Sequence, residues 1–156
     1  MKNSLLIVNL GTPAEPTTQA VKQYLKAFLS NHNVIQMPKW LWQPILNHII
    51  LPTRSWRSAT FYKHDWQPLG SPLMQYTKLQ AQQIQAILPD WQVSYAMTYG
   101  QPSIAGELHK LQNAGVDNIV VLPLFPQYST TTTKSIVEQV EATGIPTQII
   151  TDFYQH

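Results

Sequence analysis

The residues of this chain that could carry chemistry are its five histidines and two loops rich in glycine, proline and hydroxyl side chains. A neutral imidazole is the natural proton acceptor near pH 7. Yet His32, His48, His64 and His109 show no i, i+4 pair that would set two imidazoles over one metal ion, and His156 is terminal, where mobility is expected. Each reads as a solvated or packing histidine, with His109 on the outer face of a helix. The segment Asn9-Leu10-Gly11-Thr12-Pro13 lacks both the G-x-G-x-x-G pattern and the Walker lysine; on its residues alone it is a Gly–Pro turn. Glu15, just after it, reads as a surface acid ahead of a helix. The second loop, Phe125-Pro126-Gln127-Tyr128-Ser129-Thr130-Thr131, holds more hydroxyls than a connection needs. Two readings of it stay open: Thr131 to Thr133 cap a helix, or backbone N–H groups and hydroxyls at a helix start receive an anionic group.

Both loops follow segments that read as strands, and this decides where they lie. Ser4 to Leu10 is a short apolar run expected as a strand buried on both faces. Thr17 or Thr18 then caps a helix whose Val21, Tyr24, Leu25, Phe28 and Leu29 fall on one side. Pro38, Pro44, Pro52 and Pro68 punctuate residues 31–70, which suggests two or three short helices near 38–50 and 54–66. Ser71-Pro72 opens a helix to about Leu88, with Ile84, Ile87 and Leu88 expected inward. Beyond it the pattern alternates: a strand at Trp91–Met97, a helix from Ser103 with Ile104, Leu108 and Leu111 aligned, a strand at Asn118–Phe125, a helix at Thr132–Thr143 and a strand at Thr147–Thr151. Short links between alternating strands and helices imply parallel pairing with right-handed crossovers. Pro123 is a conflict within that reading, since a central strand needs its N–H.

In an open parallel sheet, ligands bind beyond the carboxyl ends of the strands where strand order reverses. If the first strand and the Asn118–Phe125 strand are neighbours, the two loops face each other across one crevice, with Tyr99-Gly100-Gln101 as a third wall. Composition narrows what could enter it. With 156 residues, 44 % hydrophobic, the chain can bury a real core. Only 12 % of residues are charged and the net charge is +2, which argues against nucleic acid and gives no basic patch for an anionic membrane. The absence of cysteine excludes thiolate-held zinc and iron–sulfur clusters in this segment and fits a reducing cytosol. No apolar stretch is long enough to span a bilayer, and the apolar run after Met1-Lys2 is too short for a signal peptide.

Five segments, in order, carry a resemblance. Leu6-Ile7-Val8-Asn9-Leu10-Gly11-Thr12-Pro13, Tyr24-Leu25-Lys26-Ala27-Phe28-Leu29-Ser30, Gly70-Ser71-Pro72-Leu73, Ala96-Met97-Thr98-Tyr99-Gly100-Gln101-Pro102-Ser103 and Leu122-Pro123-Leu124-Phe125-Pro126-Gln127-Tyr128-Ser129 resemble the amino-half motifs of ferrochelatases. The resemblance implies a three-layer α/β chelatase-like domain with a four-stranded parallel sheet, residues 1–156 being the amino-terminal one of two similar domains. It implies insertion of ferrous iron into protoporphyrin IX or coproporphyrin III in haem biosynthesis, in the cytoplasm. No permanently bound cofactor is implied, porphyrin and Fe²⁺ being substrates. Leu10, Gly11 and Thr12 would line the porphyrin face; Arg54, Tyr62 and Ser71 would sit in a substrate-covering, propionate-contacting region; Tyr99, Gln127, Tyr128 and Ser129 would add wall and hydrogen bonds. The stretch Pro38–Leu51 would form an apolar lip, or could lie weakly against a membrane surface, although ordinary core aromatics is the reading preferred for its tryptophans.

Two departures from the family pattern matter. Many relatives carry a basic residue where this chain has Thr98. The family's catalytic histidine, in a Ser-x-His-x-x-Pro-like motif, and its acidic partner belong to the second half and would lie beyond His156, so no catalytic or metal-holding residue is expected in this segment. The chain then reads as a piece ending at a domain boundary, its partner the missing carboxy-terminal domain, inactive alone and with an apolar face prone to self-association. In metallation two pyrrole protons leave while Fe²⁺ enters near the ring normal, so a wall that bends the ring and exposes its lone pairs would help. The alternatives are a non-catalytic α/β module that binds an anion or tetrapyrrole at Gln127–Thr133, and an interaction protein using its Trp-rich face.

Overall fold

The computed structural model describes Met1–Gln155; His156 lies outside the described residues. The chain packs as two compact units, one of Met1–Gly11 with the chain from Tyr76 on, the other of Thr12–Gln75.

The first unit is a four-stranded, all-parallel sheet in the order β2-β1-β3-β4, with β1 at Asn3–Gly11, β2 at Trp91–Tyr99, β3 at Asn118–Pro123 and β4 at Gln148–Ile149. Side chains alternate across a strand, and β1 uses both faces. Leu6 and Val8 join Ala96 and Val121 beneath α5 (Ile104–Asn113) and α6 (Ser135–Glu141), through Ile104, Leu108, Leu111, Ile136 and Val140. Leu5 and Ile7 face the other way, onto Ala81, Ile84 and Leu88 of α4 (Pro72–Ile87) and the residue after it. Each large aliphatic buried here contributes about 1.5–3 kcal/mol. This is the three-layer α/β arrangement expected.

Several details differ from the sequence reading, each for a physical reason. Ile87 is 76 % exposed: the inward stripe of α4 is Thr77, Ala81, Ile84 and Leu88, and Ile87 lies about 100° around the helix from Leu88. The third strand ends at Pro123 rather than Phe125. Its proline costs no ladder bond. The Leu124 amide donates to Val8 O at 2.8 Å, so the position before it faces the β4 side, where pairing involves only Val120 and Val121. The last strand is two residues rather than five, extended by Ile150 N donating to Val121 O at 3.0 Å. The helix expected from Thr132 begins earlier, as a π-turn over Thr130–Lys134 that runs into α6.

The second unit is helical. The α1 helix (Thr18–Leu29) starts as expected, Thr17 Oγ1 accepting from Ala20 N at 3.2 Å. The proline-punctuated stretch forms a nearly continuous helical run instead of separate short helices: α2 (Lys39–Ile45), a π-turn (Leu46–Ile50) and α3 (Leu51–Asp65). The widened turn closes with Leu51 N bonded to Leu46 O, directly before Pro52, which has no N–H to offer. Trp42 fits the preferred packing role, its indole N–H donating to Leu29 O at 2.7 Å and satisfying an end carbonyl of α1. Trp40 corrects it, being 78 % exposed. Tyr24 stacks near-parallel on Phe28 and meets Tyr62 of α3 edge-on.

Among the described residues, no helix is long and apolar enough to cross a membrane. The packing predicts that Leu108→Ala costs about 2–5 kcal/mol in urea unfolding, while Ile87→Ala stays within about 0.5 kcal/mol; equal costs would contradict the assignment of α4's inner face.

Candidate functional site

The chain leaves β1, later returns to pair β2 on one side of it, then crosses over to place β3 on the other side. Strand order therefore reverses between β1 and β3, and the carboxyl ends of those two strands form the switch point at which open α/β sheets bind ligands. The register runs Ile7↔Leu122 and Val8↔Pro123. Leu124 N to Val8 O closes the pairing. Past it, the Leu10–Gly11 segment and the Phe125–Ser129 loop leave from adjacent strands at one edge of the sheet, as the sequence required for a shared crevice.

Leu10 is two residues beyond Val8, so its N–H faces the side that β3 has just left. The Asn9 side chain covers it: Asn9 Oδ1 accepts from Leu10 N at 2.8 Å, and Asn9 Nδ2 donates to Thr77 Oγ1 on α4 at 3.0 Å. The sequence reading passed over Asn9. The available signal was an amide side chain closing an otherwise apolar strand.

Gly11 is part of β1, paired with Tyr99, rather than a free turn. Its φ is +121°, and a Cβ built there would lie 1.8 Å from the Tyr99 carbonyl oxygen. Only glycine permits that conformation and that approach. Tyr99 itself is buried, 5 % exposed. Thr98 is buried as well; its Oγ1–H donates to Asn9 O at 3.1 Å, and its carbonyl accepts from Gln139 Nε2 at 3.1 Å. Where relatives are expected to carry a cation, this chain has a neutral hydroxyl already committed to the β1 backbone.

On the β3 side, Gln127 and Tyr128 are exposed. Ser129, not Thr131 to Thr133, is the cap: Ser129 Oγ accepts from Thr132 N at 3.2 Å and also contacts the Thr132 hydroxyl, while Ser129 O accepts from Lys134 N at 3.1 Å. Among the described residues, the Thr133 hydroxyl, fully buried in the π-turn, finds no hydrogen-bond partner, and neither does the buried hydroxyl of Thr12. Lys134, the cation of this turn, lies 3.9 Å from Glu138.

Arg54, Tyr62 and Ser71 belong to the Thr12–Gln75 unit. Arg54 is exposed on α3. Tyr62, on the same helix, is half-buried, and burial pushes its phenol above the usual tyrosine range. Ser71 is buried at the start of α4, its Oγ accepting from Met74 N at 3.3 Å. His32, His48 and His109 are exposed, and exposed His64 pairs with its exposed neighbour Asp65 at 2.8 Å. Among the described residues, no group of three or more His, Asp or Glu side chains is placed to hold a metal ion.

Comparison with known proteins adds an independent finding. The family model described as Ferrochelatase matches residues 2–156. A protein named coproporphyrin III ferrochelatase from Lactiplantibacillus plantarum is 56 % identical over 99 % of this chain and 48 % of its own length. One of the same name from Lacticaseibacillus casei is 53 % identical over 100 % of the chain and 49 % of its own length. A protein named ferrochelatase from Stenotrophomonas maltophilia is 49 % identical over 96 % and 48 % respectively. The chain thus spans about half the length of the curated relatives it matches.

The geometry at Gly11 yields a direct test. Gly144, at φ +68° with no atom within 4 Å of a built Cβ, should tolerate alanine for about 1–2 kcal/mol. Gly11→Ala should exceed the roughly 1–3 kcal/mol of backbone strain alone, because the Tyr99 carbonyl must also move. Comparable costs for the two in denaturant unfolding would refute the close approach.

Proposed function

The chain belongs to the ferrochelatase family, and from that premise we propose that it supplies the porphyrin-binding half of an enzyme that inserts ferrous iron into coproporphyrin III during haem biosynthesis in the cytoplasm. The names of the lactic-acid-bacterial relatives support coproporphyrin III over protoporphyrin IX. The observation that carries the reading is the strand-order reversal at β1 and β3, with Leu10–Gly11 on one lip and Gln127–Ser129 on the other.

In this reading the tetrapyrrole rests on the carboxyl ends of β1 and β3. Leu10 and the glycine beside it meet the ring face, where an apolar contact excludes water. Tyr128, half exposed in the structure, packs against the macrocycle, and Gln127 and Ser129 orient its rim. Tyr99, at the end of β2, backs this wall; Thr12, Arg54, Tyr62 and Ser71 carry only the substrate-contacting roles that the family resemblance implies for the Thr12–Gln75 unit. A fixed wall that holds the ring bent turns the pyrrole lone pairs out of the ring plane, towards the incoming Fe²⁺. No histidine or acid in these loops is placed to take the pyrrole protons. That work is assigned to the part of the relatives that this chain does not match, and the chain alone binds without turnover.

Coproporphyrin III added to the chain should shift its Soret band, and Tyr128→Ala should weaken binding about tenfold, the order expected for losing one aromatic contact. Mixing the chain with the complementary half of the L. plantarum relative should restore iron insertion. Absence of any Soret shift, or a folded pair that stays inactive, would overturn the proposal.

A further inference from the structure

We infer that Gln139 is a positioning residue for the porphyrin wall, acting through Thr98. The inference rests on the porphyrin reading above and extends it to a residue remote from the loops. Gln139 lies on α6 beside Val140, which is buried against the sheet. A glutamine amide next to an apolar interface is unfavourable unless bonded. Here its Nε2 donates to Thr98 O at 3.1 Å, and the Thr98 hydroxyl in turn donates to Asn9 O at 3.1 Å.

These two bonds join all three walls of the mouth. Thr98 precedes Tyr99 at the end of β2, Asn9 precedes Leu10 at the end of β1, and α6 continues without a break from the π-turn that Ser129 caps. Rotation or sliding of α6 would carry the Gln127–Ser129 loop with it. The Gln139 amide fixes α6 against the strand end whose carbonyl already abuts Gly11. Every group in the relay is uncharged, so it holds the wall without placing a charge near the ring. Nothing in it touches the ligand, so its loss should loosen the shape of the wall while leaving the contacts that bind porphyrin in place. Misplacement of about 1 Å can cost roughly a hundredfold in rate, and supporting hydrogen bonds are what hold a site within such limits.

The test uses Gln139→Leu, which keeps the bulk and removes the donor, and Thr98→Val, which keeps the volume and removes the second bond. Porphyrin affinity and the Soret band are measured on the chain, iron insertion on the chain paired with the complementary half of the L. plantarum relative, and folding by thermal unfolding. Gln139→Leu should bind coproporphyrin III, followed by quenching of porphyrin fluorescence, within about threefold of wild type, displace the Soret band less than wild type does, and lower kcat at least tenfold with little change in KM. Thr98→Val should change the same quantities in the same direction, and the double variant should be no worse than the poorer single one, as for members of one relay. If Gln139→Leu fails to fold, Thr98→Val alone must reproduce the kcat loss and the spectral change; wild-type behaviour there overturns the inference. Folded variants that keep kcat and Soret position, or that raise KM alone, overturn it and leave the porphyrin reading intact. A wild-type chain that neither binds porphyrin nor supports metallation overturns both.

Discussion

The carboxyl edge of the sheet is organised by the approach of Gly11 to the Tyr99 carbonyl. A Cβ would collide with that oxygen at 1.8 Å, so the end of β1 can follow β2 this closely only because glycine stands there. The consequence propagates outward. With β1 held against β2 to its last residue, the gap on its other side opens where β3 turns away after Leu124. Leu10 is left with its N–H facing that gap, and the Asn9 side chain satisfies it. The switch point is therefore built by one strand that cannot move aside and one that leaves early.

The chemistry of this edge is neutral. Leu10, Gly11, Thr98, Tyr99, Gln127, Tyr128 and Ser129 carry no formal charge, and Lys134 sits beside Glu138. That matches a chain with only 12 % charged residues. An edge of this kind suits the flat, apolar body of a macrocycle better than its carboxylates, and in a water-excluded site neutral hydrogen bonds avoid the desolvation cost of buried ions. The helical unit differs: Arg54 is exposed there, and burial raises the Tyr62 phenol above the usual tyrosine range.

Much of the sheet was legible in the sequence because period and punctuation agreed. Ser4–Leu10 and Asn118–Leu122 are apolar runs with no helical alternative, and Thr17, Ser71 and Ser103 are good caps where helices begin. The neighbouring of β1 and β3, which sets the site, stood in the sequence only as a condition, and the sheet order meets it. What failed had no local signal. Pro44 and Pro52 read as breaks, yet a π-turn carries the helix through; Ile87 looked inward because three aliphatics cluster at the end of α4; Trp40 looked like core because its residue type is the same as that of the partly buried Trp42. Within the site, Gly11 was visible as a glycine but not as a contact, since the Tyr99 carbonyl is 88 residues away in sequence. Asn9 and Gln139 were silent for the same reason: their partners come from other elements.

The central claim is that a tetrapyrrole rests on the carboxyl ends of β1 and β3. Amide hydrogen exchange, measured residue by residue with and without coproporphyrin III, tests it most directly. The account predicts that slowed exchange on binding is concentrated at Leu10–Thr12 and Gln127–Thr132. Protection confined to the amino-terminal ends of the strands, or to the outer faces of α5 and α6, with those two segments unchanged, would contradict it.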